Sequence, residues 1–84
     1  MPKRIEYSRE ALKTLASIDR ATASRIIVKV DLLVSDPRAL GNNIRRLRGG
    51  DGRMRLRVGD WRVIYRDGTV LHVIRIAPRG SAYE

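Results

Sequence analysis

Residues 53–77, RMRLRVGDWRVIYRDGTVLHVIRIA, decide the fold. Apolar and polar residues alternate through 53–58 (RMRLRV), 61–66 (WRVIYR) and 69–77 (TVLHVIRIA), the period of half-buried strands. Gly59-Asp60 and Asp67-Gly68 are two-residue hairpin turns of the Gly-X and Asp-Gly kinds, so a three-stranded antiparallel meander is predicted. A two-residue turn at 59–60 sets Arg57 opposite Arg62, Arg55 opposite Ile64 and Arg53 opposite Arg66. Alternation then gathers Arg53, Arg55, Arg57, Arg62 and Arg66 on one face, leaving Met54, Leu56, Val58, Trp61, Val63 and Tyr65 to be covered. The same count carried through Asp67-Gly68 adds Leu71, Val73 and Arg75 to the basic face. It turns Val70, His72, Ile74 and Ile76 toward the core.

Upstream the period changes. Residues 3–7 (KRIEY) place Ile5 and Tyr7 on one side of a short strand. Ser8 is suited to cap a helix, with Tyr7 stapling against Leu12 and an inward stripe of Leu12, Leu15, Ala16 and Ile18. Asp19 offers a second cap, and Ala23, Ile26, Ile27, Val30, Leu33 and Val34 recur at helical spacing until Asp36-Pro37 ends the run after Ser35. Residues 37–52 read as a loop, tethered by Leu40, Ile44 and Leu47 and rich in Gly and Asn. The predicted architecture is α+β in one domain over residues 1–84. It comprises an N-terminal strand, an αα-hairpin and a three-stranded meander, with the helices on one sheet face.

Composition bounds the function. The 84 residues carry 18 Lys+Arg against 9 Asp+Glu, a formal charge of +9, which points toward a polyanionic partner. Residues 1–44 hold 8 basic and 5 acidic side chains (+3), and residues 45–84 hold 10 and 4 (+6). All of the latter bases are Arg, whose planar fork grips phosphate bidentately. Cysteine is absent, so there is neither a disulfide framework nor a thiolate metal site. No secretory signal or membrane-spanning run is found, and a cytoplasmic protein is expected.

Like charges directly opposite across strands cost a few tenths to about 1 kcal/mol per pair. Arg57 with Arg62 and Arg53 with Arg66 are therefore best explained by a bound polyanion whose phosphates neutralise the face. The alternative is plain solvation of the outer face of a one-sided sheet. His72, predicted to face the core, reads as a packed, hydrogen-bonded histidine. With that single His and no Cys, no metal site or nucleophile-histidine arrangement is expected. Gly49-Gly50-Asp51-Gly52 lacks the Lys and Ser/Thr of a phosphate-binding loop and reads as a flexible turn.

The segment Arg55-Leu-Arg-Val-Gly-Asp-Trp-Arg-Val-Ile-Tyr65 resembles the R-x-R-x-G-x-Y/W-R-x-x-Y signature of the RelE/ParE toxin superfamily. The tail at 79–83, RGSAY, resembles its closing R-R-x-x-Y, and the preceding strand and helical hairpin match the family's order. ParE-type members, which target DNA gyrase, usually lack that combination, so the resemblance is to the RelE side. It implies a RelE-like fold and a metal-independent endoribonuclease with no cofactor. Such a toxin cleaves messenger RNA on the ribosome by 2′-hydroxyl attack and is restrained by a cognate antitoxin. Its partners are thus that antitoxin, messenger RNA and ribosomal RNA. By position the resemblance makes Arg55, Arg62, Arg79 and Tyr83 catalytic, with Arg53, Arg57, Arg66 and Arg75 on the RNA-binding face; Arg46 and Arg48 extend it from the loop. Arg53 and Arg55 stand where relatives often carry Lys, and Arg, with a pKa above about 12, is a poor proton donor. A gyrase-directed toxin and a catalytically weak RNA-binding homologue are the alternatives.

Overall fold

The computed structural model describes residues 3–49 and 51–80. Strand β1 (Ile5–Tyr7) leads into helices α1 (Arg9–Ser17) and α2 (Arg20–Ser35). A 3-10 helix (Pro37–Asn43) follows, then β2 (Ile44–Arg46), β3 (Arg53–Val58), β4 (Trp61–Asp67) and β5 (Leu71–Pro78). The sheet has the order β1-β5-β4-β3-β2, with β1 parallel to β5 and every other neighbour antiparallel. The helices cover one face, where Ala11, Ile26, Val30 and Leu33 pack on Leu56, Val63, Tyr65, Leu71, Val73 and Ile76.

Both caps form as the sequence predicts. The Ala11 N–H donates to Ser8 Oγ at 3.0 Å and the Thr22 N–H to Asp19 Oδ2 at 2.9 Å, so two helices meet across Ile18 and Asp19 alone. Ser8 does more: its hydroxyl donates to the Ile74 carbonyl at 2.6 Å and its N–H to that of Val73 at 2.8 Å. This tether sets the rotation of α1, turning Ala11, Leu15 and Ile18 inward. The expected Tyr7–Leu12 staple is therefore absent, with Leu12 54% exposed and Ala16 also outside. On α2, Ile27 lies at the margin at 39% exposed for the same reason, since Ile26, Val30 and Leu33 already fill the buried stripe.

The segment read as a loop carries two elements. Pro37 starts the 3-10 helix, which buries Leu40, and β2 then pairs with β3 in the register Ile44↔Leu56, Arg45↔Arg55 and Arg46↔Met54. Three residues are too few to display a period of two, and their partner strand decides them. Among the described residues no helix is long and apolar enough to cross a membrane.

Candidate nucleic-acid interface

The hairpin register is the predicted one: Arg53↔Arg66, Arg55↔Ile64 and Arg57↔Arg62. Gly59 supplies the positive φ (58°) that a Gly-X turn needs at its first position. The next connection differs. Asp67 pairs with Leu71, leaving three residues in the turn where two were predicted, and a bulge interrupts pairing between Ile64 and Tyr65 of β4. The longer turn reverses the parity of β5, and the bulge restores it before Arg75. Leu71 and Val73 are consequently buried in the core, not on the basic face, while His72 is exposed on the outer face opposite Arg66. Arg75 and Ile76 keep the sides predicted for them.

Three transverse rows result. At the end bearing the turn at residues 68–70, Glu6, His72, Arg66 and Arg53 lie side by side on β1, β5, β4 and β3. The middle row is Arg75, Ile64, Arg55 and Arg45, and the row at the Gly59-Asp60 turn is Ala77, Arg62 and Arg57. At about 3.3 Å per residue, the outer rows are roughly 13 Å apart. Arg45 joins the face although it was not singled out; only its pairing with Arg55 reveals it. Arg46 pairs with Met54 and so takes the parity of the helix-covered side, a correction to its predicted place on the basic face. Arg48 lies exposed in the following turn.

The two ends hold their charges differently. Asp51 stands between Arg53 and Arg66: its Oδ2 is 2.8 Å from Arg53 Nε and 3.6 Å from an Arg66 terminal nitrogen, while Arg66 Nε donates to the Asp51 carbonyl at 3.2 Å. Desolvation pushes the Asp51 carboxyl up. Hydrogen bonds from the Arg53 side chain and N–H, with the charges of Arg53 and Arg66, outweigh it and hold the group below the ordinary carboxylate range. The face is therefore not free of acids, as strand parity alone had implied.

Arg62 is 7% exposed, the one buried charged residue among the described residues. Its Nη1 donates to the carbonyls of Gly59 and Trp61, each at 3.1 Å, beside Ile64 and Ala77, which are buried on this outer face. Arg79 joins the same turn, its N–H donating to the Asp60 carbonyl at 2.7 Å and its guanidinium 4.0 Å from the Asp60 carboxylate. Arg75 meets Glu10 of α1 at 3.8 Å. Burial, with the charge of Asp31 and of Asp67 respectively, pushes the phenols of Tyr7 and Tyr65 up to about 12, which favours their neutral form. Tyr83 lies outside the described residues. Among those described, no group of three or more His, Asp or Glu could hold a metal ion.

Residues 5–83 match the model of the ParE toxin of the type II toxin-antitoxin system parDE. None of the curated proteins matches in sequence. Among solved structures, the chain resembles the archaeal RelE-RelB complex from Pyrococcus horikoshii OT3 at 28% identity and a TM-score of 0.79, covering 98% of this chain and 100% of that one. It also resembles a mutant of the E. coli toxin RelE in the free state, at 18% identity, a TM-score of 0.77 and coverage of 98% and 88%. The E. coli DinJ-YafQ toxin-antitoxin complex is similar at 19% identity and a TM-score of 0.71, covering all of both chains.

Proposed function

Because the chain belongs to the ParE toxin family and is a type II toxin of RelE/ParE type, we propose that it acts as an endoribonuclease. In this reading it cleaves messenger RNA on the ribosome and is held inactive by a cognate antitoxin. The observation that carries the reading is the convergence of Arg62 and Arg79 on the Gly59-Asp60 turn, at one end of a face lined by Arg55 and Arg57.

In-line attack by the 2′-hydroxyl forms a 2′,3′-cyclic phosphate as the P–O5′ bond breaks, the leaving 5′-oxygen taking a proton from solvent, and it needs positive donors at the phosphoryl oxygens. Arg62, its Nη1 held by two carbonyls, has its guanidinium fixed in direction, the preorganisation that such stabilisation requires. Arg79 adds a second guanidinium and Arg55 grips the strand beside the scissile bond. Arg53, Arg57 and Arg66 hold flanking phosphates. Tyr83 takes the 2′-hydroxyl proton, its phenolate favoured by neighbouring guanidiniums. The RelB and DinJ antitoxins in the similar complexes support an antitoxin as the restraining partner.

The ParE description of the matching family favours a second reading, a toxin directed at DNA gyrase. One experiment separates the two: induce the wild type, Arg62→Ala and Tyr83→Phe in a bacterial host and map transcript ends. New ends within codons on translating ribosomes, lost in both variants, are expected. Growth arrest with intact transcripts and broken DNA would establish the gyrase reading instead.

A further inference from the structure

At the end of the sheet away from Arg62, two hollows meet at Arg66 and His72. One, of about 450 Å³, is lined also by Glu6, Ser8 and Ile74; the other, of about 390 Å³, by Gly52, Gly68 and Thr69. The β5 irregularity lies beside the first. It lets His72 and Arg75, three positions apart, share a face that strict alternation would deny to one of them.

The charges are arranged for an anion that arrives from outside. His72 faces Glu6 on β1, with Nδ1 3.6 Å from the carboxylate, and Glu6 is itself 3.0 Å from the Arg4 guanidinium. On the other side stands Arg66 of β4, shared with Asp51, and at the strand ends Lys3 pairs with Asp67. Glu6 is thus compensated by Arg4. The His72 imidazole beside the Arg66 guanidinium then makes a two-donor grip for one phosphate group. The hollows on either side can receive flat groups, and the Glu6 carboxylate faces one of them as an acceptor for an exocyclic amine. This row lies roughly 13 Å from that of Arg62, too far to share one phosphate but on the path of the same strand.

We propose that the hollow at Arg66 and His72 is a nucleotide subsite for single-stranded RNA, flanking the arginine cluster at the Gly59-Asp60 turn, in which Arg66 and His72 hold a neighbouring phosphate. The proposal rests on the reading of the basic face as an RNA-binding surface.

Binding of a short 2′-O-methyl RNA, which cannot be cleaved, tests it with the full chain. The RNA should shift the His72 ring resonances in NMR. His72→Gln should lower the affinity about three- to fivefold. Arg66→Gln should lower the slope of log K against log salt by about 1. If the RNA shifts amides around Arg55 and Arg62 while the His72 ring resonances stay in place, the subsite is refuted and the RNA-binding face survives. If the RNA binds nowhere on the sheet, both fall together.

Discussion

The hairpin carries two like-charged cross-strand pairs, and the protein accommodates them in opposite ways. Arg53 and Arg66 share the carboxylate of Asp51, an acid delivered by the turn before β3. Arg57 and Arg62 separate instead: Arg57 stays exposed, and Arg62 sinks onto two carbonyl oxygens of its own turn. An acid cancels charge and competes with any incoming phosphate. A carbonyl is a neutral acceptor, which orients a guanidinium without bringing a negative charge to it. The first end balances its pair with an acid, and the second fixes one member of its pair on backbone oxygens.

Replacing the guanidinium is the hardest blow to this contrast. Arg62→Lys keeps the charge but loses the fork, and RNA cleavage measured on translating ribosomes is expected to fall by about 10²-fold or more. Arg53→Lys, at the acid-bridged end, should cost less than about tenfold. The turns come next. Gly59 and Gly52 both have positive φ, 58° and 80°, so alanine at either position should cost roughly 1–2 kcal/mol in urea denaturation. Only Gly59→Ala should also reduce cleavage, because it displaces a carbonyl that holds Arg62.

Asp51→Asn sharpens the comparison from the other side. Freed of the acid, Arg53 and Arg66 should bind short RNA about threefold more tightly, with a salt slope steeper by about 1, as fluorescence anisotropy would show. The smallest effect is that of acid pH. The Asp51 carboxyl is held below its unfolded value, so the stability it contributes is complete above about pH 3.9 and disappears as pH falls through the lower folded value. Amide resonances at Arg53 and Arg66 should move in that window, and those at Trp61 and Arg62 should not.

How far the fold could be read from sequence varied along the chain for identifiable reasons. The β3–β4 hairpin was fully legible, since six-residue alternation and a Gly-X turn specify the register together. The caps at Ser8 and Asp19 were legible because they depend on neighbours three residues away. What misled was the Asp67-Gly68 pair, which looks like a complete turn but opens a three-residue one, so the count lost its parity for Leu71, His72 and Val73. Nothing local announces the bulge beyond them; it is set by the docking of Ser8 on the Val73 and Ile74 carbonyls. The rotation of α1 was hidden for the same reason. Of the candidate site, the arginines of β3 and β4 were placed correctly, while Arg45, His72 and the role of Asp51 required pairings between segments far apart in sequence.

The Ser8 tether also governs when the molecule becomes competent. Its acceptors lie 66 residues downstream at Ile74 and almost as far at Val73, and β1 inserts beside β5 in parallel. Such long-range closure comes late in folding, because the chain entropy of a large loop must be overcome before the contact rewards it. During synthesis the helical hairpin can form on its own, but it has no sheet to seat on until the last strand is made. The arginines of β3 and β4 can pair within their own hairpin, but the rows gain Arg75, His72 and Glu6 only when β5 slots between β1 and β4. On the function proposed above, such a toxin completes its basic face only once β5 has been made.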